Sequence, residues 1–178
     1  MTTTVAGDVV DVLLTQHALL EAQFRLVASA TRKPERKAAF AELARLLTVH
    51  ETIEQELVHP EATLDSEPEV VAERIEEERR ADEVLAELFE IEVNDPDFPR
   101  LLQGLKESVL AHATREERYE FPRLRHGHPP ERLRELAVAV TAAFDAAPTK
   151  LPTADEPVNA LATLREQVLL AMRTADSG

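Results

Sequence analysis

The 178-residue chain carries 34 acidic and 20 basic side chains, a formal net charge of −14, 44% hydrophobic residues and no cysteine. That composition is globular and long enough for a real core, and it excludes disulfides, thiolate chemistry and iron–sulfur clusters. It also argues against nucleic acid or an anionic membrane as partner, because both reward clustered Lys and Arg.

The N-terminal stretch MTTTVAGDVVDVLL lacks the basic-then-apolar order of a signal peptide, and no window is apolar for long enough to span a membrane; the expected location is the cytoplasm. The first predicted helix covers residues 5–30, where Val10, Leu13, His17, Leu20, Phe24 and Val27 step by three and four. The second, at 34–59, opens with Pro34 in its first turn and repeats the steps through Phe40, Leu43, Leu47, His50, Glu54 and Leu57. This is the seam of helices packed nearly parallel or antiparallel in a bundle. Ser66 followed by Glu69 reads as a capping box opening a third helix at 67–91. A Pro/Asp-rich turn at Asn94–Pro99 precedes a fourth at 99–121. Short connections make sequential neighbours antiparallel, which predicts an all-α, up-down-up-down bundle over residues 5–125. Beyond His126-Gly127-His128-Pro129-Pro130, a fifth helix at Glu131–Ala146 and a sixth at Pro157–Arg173 form an extension over 126–178, expected to pack on the bundle or to form a dimer contact.

The chain repeats itself internally. A shift of 61 residues lays Val10 on Val71, Leu14 on Ile75, Phe24 on Leu85 and His17 on Glu78. A shift of 62 lays Phe40 on Leu102, Leu47 on Val109, His50 on His112, Glu54 on Glu116, Leu57 on Tyr119 and Pro60 on Pro122. Both halves therefore carry His-x-x-x-Glu, a spacing that puts both side chains on one helix face a turn apart. Reflecting each helix through its turn brings His17 level with residues 47–48 and Glu78 close to His112, so all six polar residues gather in one layer. Three carboxylates and three imidazoles in an apolar layer need compensation, and a cation supplies it directly. The donor mix suits iron, manganese or zinc, and facing carboxylates and histidines in helical bundles are a home for paired irons. The competing reading is a metal-free bundle that uses the layer for packing specificity.

His17, His50-x-x-x-Glu54, the third-helix position and His112-x-x-x-Glu116 followed by Glu117 and Phe121-Pro122 resemble the haemerythrin-like, or HHE cation-binding, proteins over roughly residues 8–125. The resemblance implies two irons joined by an oxo or hydroxo bridge, with manganese or zinc as alternatives. It implies a protein that meets oxygen, hydrogen peroxide or nitric oxide, as a catalase-like or oxygen- or NO-reactive oxidoreductase. A non-catalytic module that binds or senses iron or oxygen is the alternative, and the state expected is monomer or homodimer. The metal ligands it implies are His17, His50, Glu54, Glu78, His112 and Glu116, with Glu54 and Glu116 bridging. Where the family usually has a third-helix histidine, this chain reads Glu76-Glu77-Glu78-Arg79, with Glu78 at the ligand position and Glu77 as the alternative. More anionic ligands favour redox chemistry or iron handling over reversible oxygen carriage. Tyr119 is read as a core or rim residue, and His59, His126 and His128 as surface histidines at helix ends.

Overall fold

A computed structural model of the protein describes residues 7–62, 68–152 and 157–175. Ser66 of the expected capping box and the side chains of Val71 and Ile75 lie outside the described residues. The described chain is all helical, in six rods. The first is α1 (Val9–Ser29). The second runs from α2 (Lys33–Ile53) through a π-helical turn (Glu54–Val58) into the short α3 (His59–Ala62). The third is α4 (Pro68–Glu90). The fourth repeats the plan of the second, with α5 (Phe98–Arg115), a π turn (Glu116–Glu120) and α6 (Phe121–Gly127). Helices α7 (Pro130–Ala146) and α8 (Pro157–Ala175) complete the chain. The first four rods form the up-down-up-down bundle and the last two are the additional C-terminal helices. Among the described residues no helix is long and apolar enough to cross a membrane.

Helix α1 starts later than residue 5 because Asp8 and Asp11 form a reciprocal cap: Val10 and Asp11 donate to Asp8 Oδ1, and the Asp8 amide donates to Asp11 Oδ2 at 2.9 Å. Gly7 precedes it at φ +104°, a conformation that suits a residue without a Cβ. The second and fourth rods run past their expected ends because neither proline stops the chain. Pro60 and Pro122 lack an amide hydrogen, and in a regular helix their rings would clash with the carbonyls of Glu56 and Arg118. One wider turn relieves that clash, with the amides of His59 and Phe121 reaching back five residues to Glu54 and Glu116. The turn also shifts the buried face. Val58 goes inside where Leu57 was expected, and Tyr119, read as core or rim, is 55% exposed and so outside the core.

The seam residues of α1 and α2 are buried as their spacing requires. The core divides into two apolar clusters. One holds Leu20, Phe24, Val27, Phe40, Leu85, Leu88, Phe98 and Leu105 at the end with the α1–α2 and α4–α5 turns. The other holds Val10, Leu13, Val49, Ile53, Phe121 and Leu124 together with Leu136, Val140, Leu164 and Val168 of α7 and α8. Helix α7 packs on α1 and α2, and α8 packs across α2, α4 and α7. Between the two clusters lies the polar layer.

Candidate metal centre

Glu54 and Glu116 are each 1% exposed, and both open the π turns on the two long rods. Around them the structure brings together His17 from α1, His50 from α2 and His112 from α5, as the sequence spacing requires. His17 and His50 meet edge to face with ring centroids 5.1 Å apart. His50 Nε2 lies 3.2 Å from Glu54 Oε2, and His112 Nε2 lies 3.2 Å from Glu116 Oε1. The other Glu116 oxygen, Oε2, lies 3.4 Å from His17 Nε2.

Two groups of possible donors share this space, each with ligand atoms within 4.8 Å of one another. One is His17, His50 and Glu54; the other is Glu54, His59, His112 and Glu116. Glu54 belongs to both. Glu78 is in neither group: its Oε2 accepts from Gln55 at 2.6 Å, and its Oε1 lies 3.6 Å from His59 Nδ1.

His59 is the residue that regular helical spacing misses. Five residues after Glu54 it would sit about 140° around an α-helix. The π turn closes that gap, so its side chain is 13% exposed and its Nε2 lies 3.3 Å from Glu116 Oε1. The signal was a His-Pro pair standing where the second half has Phe121-Pro122. Of the other helix-end histidines, His126 is exposed, whereas His128 is partly buried and clasps Glu61 Oε2 at 2.8 Å.

Each ring presents Nε2 to the layer and Nδ1 to an outer oxygen. His17 Nδ1 faces Glu117 Oε1 and His50 Nδ1 faces Gln16 Oε1, both at 2.8 Å. His59 Nδ1 faces Glu78 Oε1 and His112 Nδ1 faces Glu77 Oε2, both at 3.6 Å. An acceptor at Nδ1 keeps a hydrogen there, so that loss of the Nε2 proton to an incoming cation leaves that lone pair pointing inward, which is how proteins orient metal-binding imidazoles.

The electrostatics follow from burial among opposite charges. Burial opposes ionisation of Glu116, yet hydrogen bonds from His112, His17 and His59 outweigh it and hold the carboxyl well below its usual range. Burial would lower His112 too, but Glu116 and the surrounding carboxylates raise it to about 9. His17 is likewise raised against burial, by Glu116 and Glu117. His50 has no such support: burial and the positive charge of His17 push it down to about 3, so its ring stays neutral. Burial and Asp82 raise Glu51 to about 8, against the pull of Arg165.

The layer fits a cation on two grounds. His17 Nε2 and Glu116 Oε2 are fully buried and have only each other, at 3.4 Å, a costly state that a positive ion relieves. Imidazole nitrogen and carboxylate oxygen without thiolate is the donor chemistry of iron, manganese and zinc. A small cavity of about 30 Å³ adjoins the layer, walled by Leu20, Leu47, Ala81, Val109 and Ala113 beside His17, His50 and His112.

Fold and layer together define a helical bundle with a buried histidine–glutamate centre suited to cations. The haemerythrin HHE cation-binding domain model matches residues 8–124, and the chain belongs to that family. Its fold resembles the crystal structure of a haemerythrin HHE cation-binding domain-containing protein from Mycobacterium kansasii, with TM-score 0.70 and 23% identity over 95% of this chain and 94% of that one. That overlap runs past residue 124, so α7 and α8 are part of the shared fold. No curated protein matches the sequence.

Proposed function

We propose that the protein holds a non-haem di-iron centre that reacts with hydrogen peroxide, oxygen or nitric oxide. The observation that carries this reading is the sharing of carboxylates: Glu54 belongs to both donor groups, and the two oxygens of Glu116 face different histidines. Two shared carboxylates flanked by imidazoles are the arrangement a pair of cations requires. His17 and His50 would hold one ion and His112 the other, with Glu54 and Glu116 between them. Bound iron supplies one-electron redox chemistry and coordination positions open to a small oxidant.

The chain's own residues do the rest. Glu117, Gln16 and Glu77 brace the outer nitrogens of His17, His50 and His112, fixing each ring. The two apolar clusters flank the layer on either side, which lowers the local dielectric and strengthens the charges inside it. Elemental analysis and steady-state peroxide turnover of iron-loaded protein test the reading. Stoichiometric iron and turnover well above that of free iron support it; protein that takes up no iron overturns it.

A second reading, a non-catalytic sensor of iron or oxygen, draws on Arg165. From α8 its guanidinium meets both oxygens of Asp82 on α4, at 2.6 and 2.7 Å, and lies 3.8 Å from Glu51 Oε2, next in sequence to His50. A change at the layer can thereby reach the outer helix. An oligomeric state or α8 protection that changes with iron or oxygen, without peroxide turnover, supports this reading over the first.

A further inference from the structure

We propose that His59 is a metal ligand of this centre, and that Glu78, the acidic residue at the third-helix position, faces its outer nitrogen and orients it, and is not a ligand. The inference rests on the metal-binding reading above and assigns the fourth imidazole of the layer.

The argument begins with the backbone. Pro60 forces a wide turn, the His59 amide bonds to the Glu54 carbonyl, and the two side chains come to one face. His59 Nε2 then enters the donor group of Glu54, His112 and Glu116, 3.3 Å from Glu116 Oε1. Without His59 that group would have one imidazole against the two of the first group. With it, each group has two imidazoles; Glu54 belongs to both, and Glu116, of the second, also faces His17 of the first at 3.4 Å.

Glu78 complements this. Its Oε2 is tied to Gln55 and its buried Oε1 has no hydrogen bond, yet that oxygen faces His59 Nδ1 at 3.6 Å and lies outside both donor groups. This is the relation of Glu77 to His112 and, at shorter range, of Glu117 to His17. A carboxylate at Nδ1 sets the tautomer that aims the Nε2 lone pair at the layer. The repeat supplies the contrast. Phe121 occupies the matching place after the second π turn, and it stacks on His17 with ring centroids 5.7 Å apart and 20° between planes. One half of the bundle thus puts a ligand where the other puts an apolar wall, and the third helix is released from supplying a histidine.

The test compares the wild-type chain with His59→Phe, which installs the ring that the repeat already tolerates, and with Glu78→Gln. Iron content and Mössbauer spectra are recorded for each, with circular dichroism to check folding. The expected result is about two irons per chain for wild type and about one for His59→Phe, with loss of one spectral component. Glu78→Gln keeps both irons but binds them about 10- to 100-fold more weakly. Should His59→Phe fail to fold, carbethoxylation of the wild-type chain followed by mass spectrometry decides: His59 is expected to be modified without metal and protected with iron, while exposed His126 reacts in both states. Full iron in His59→Phe with an unchanged spectrum, equal modification of His59 in both states, or loss of one iron in Glu78→Gln overturns the inference. A wild-type chain without iron overturns instead the reading on which it rests.

Discussion

Glu117 reaches from the π turn after α5 to His17 on α1, Oε1 to Nδ1 at 2.8 Å, although its own side chain is 41% exposed. A solvent-facing carboxylate thus fixes the orientation of a buried ring. Glu117→Ala is expected to weaken metal binding about 10- to 100-fold while changing stability little. Competition against a chelator of known affinity measures the first, and thermal melting of the metal-free protein the second. Unchanged affinity would show that packing against Phe121 orients His17 by itself.

The layer predicts a peaked pH dependence for the chelator-treated protein. His112 is raised from 6.5 to about 9 and His17 is raised as well, so their contribution is complete below about pH 6.5 and is lost as pH climbs through about 9. His50 acts in the opposite direction: lowered to about 3, it contributes above about 6.5 and its contribution is lost as pH falls. Depressed Glu116 adds to the acid-side loss. Urea midpoints measured from pH 4 to pH 10 should therefore peak near about 6.5. In His112→Gln the alkaline limb should flatten; an unaltered limb would contradict the assignment.

Glu116 is the acceptor for three imidazoles, those of His17, His59 and His112. Glu116→Gln keeps the shape and removes the charge, which leaves buried imidazolium groups without compensation. Without metal the variant is expected to lose about 3 kcal/mol, and on loading it is expected to bind less iron than the wild-type chain. Denaturant unfolding and iron analysis check the two effects separately.

Helix α8 belongs to the core and not to an appendage. Leu164 is fully buried with Leu13, Ile53 and Leu136, so Leu164→Ala should cost about 2–5 kcal/mol. Leu170, exposed on the same helix, should change stability by less than about 0.5 kcal/mol when replaced by Ala. Equal effects would mean that α8 is only loosely attached.

Much of this was legible in the chain, because two periodicities carried it. Steps of three and four gave the four bundle helices, and the shift of 62 residues aligned His50 with His112 and Glu54 with Glu116 on one level. Among the six residues the spacing singled out, five join the donor groups; Glu78 stands just outside them, against His59. The displaced side chains share one cause. Helical spacing assumes a regular turn, and two prolines impose irregular ones, so His59 moves inward, Tyr119 moves outward and Val58 replaces Leu57. Gln16 was hidden, and Glu117 was legible only as solvated or bracing, for another reason: nothing in a sequence distinguishes a polar residue at the edge of a seam from one facing only water. Arg165 stayed unread because helices rich in Leu and Val at the end of a chain look like packing alone.

The space beside the imidazoles measures only about 30 Å³ and is lined by short aliphatic groups from every rod of the bundle. A molecule of two or three heavy atoms fits there, while a branched alkyl hydroperoxide would have to push Leu47 or Val109 out of a packed wall. The same cavity is lined by His17, His50 and His112, so the hydrocarbon around it limits the size of any molecule that sits against those imidazoles.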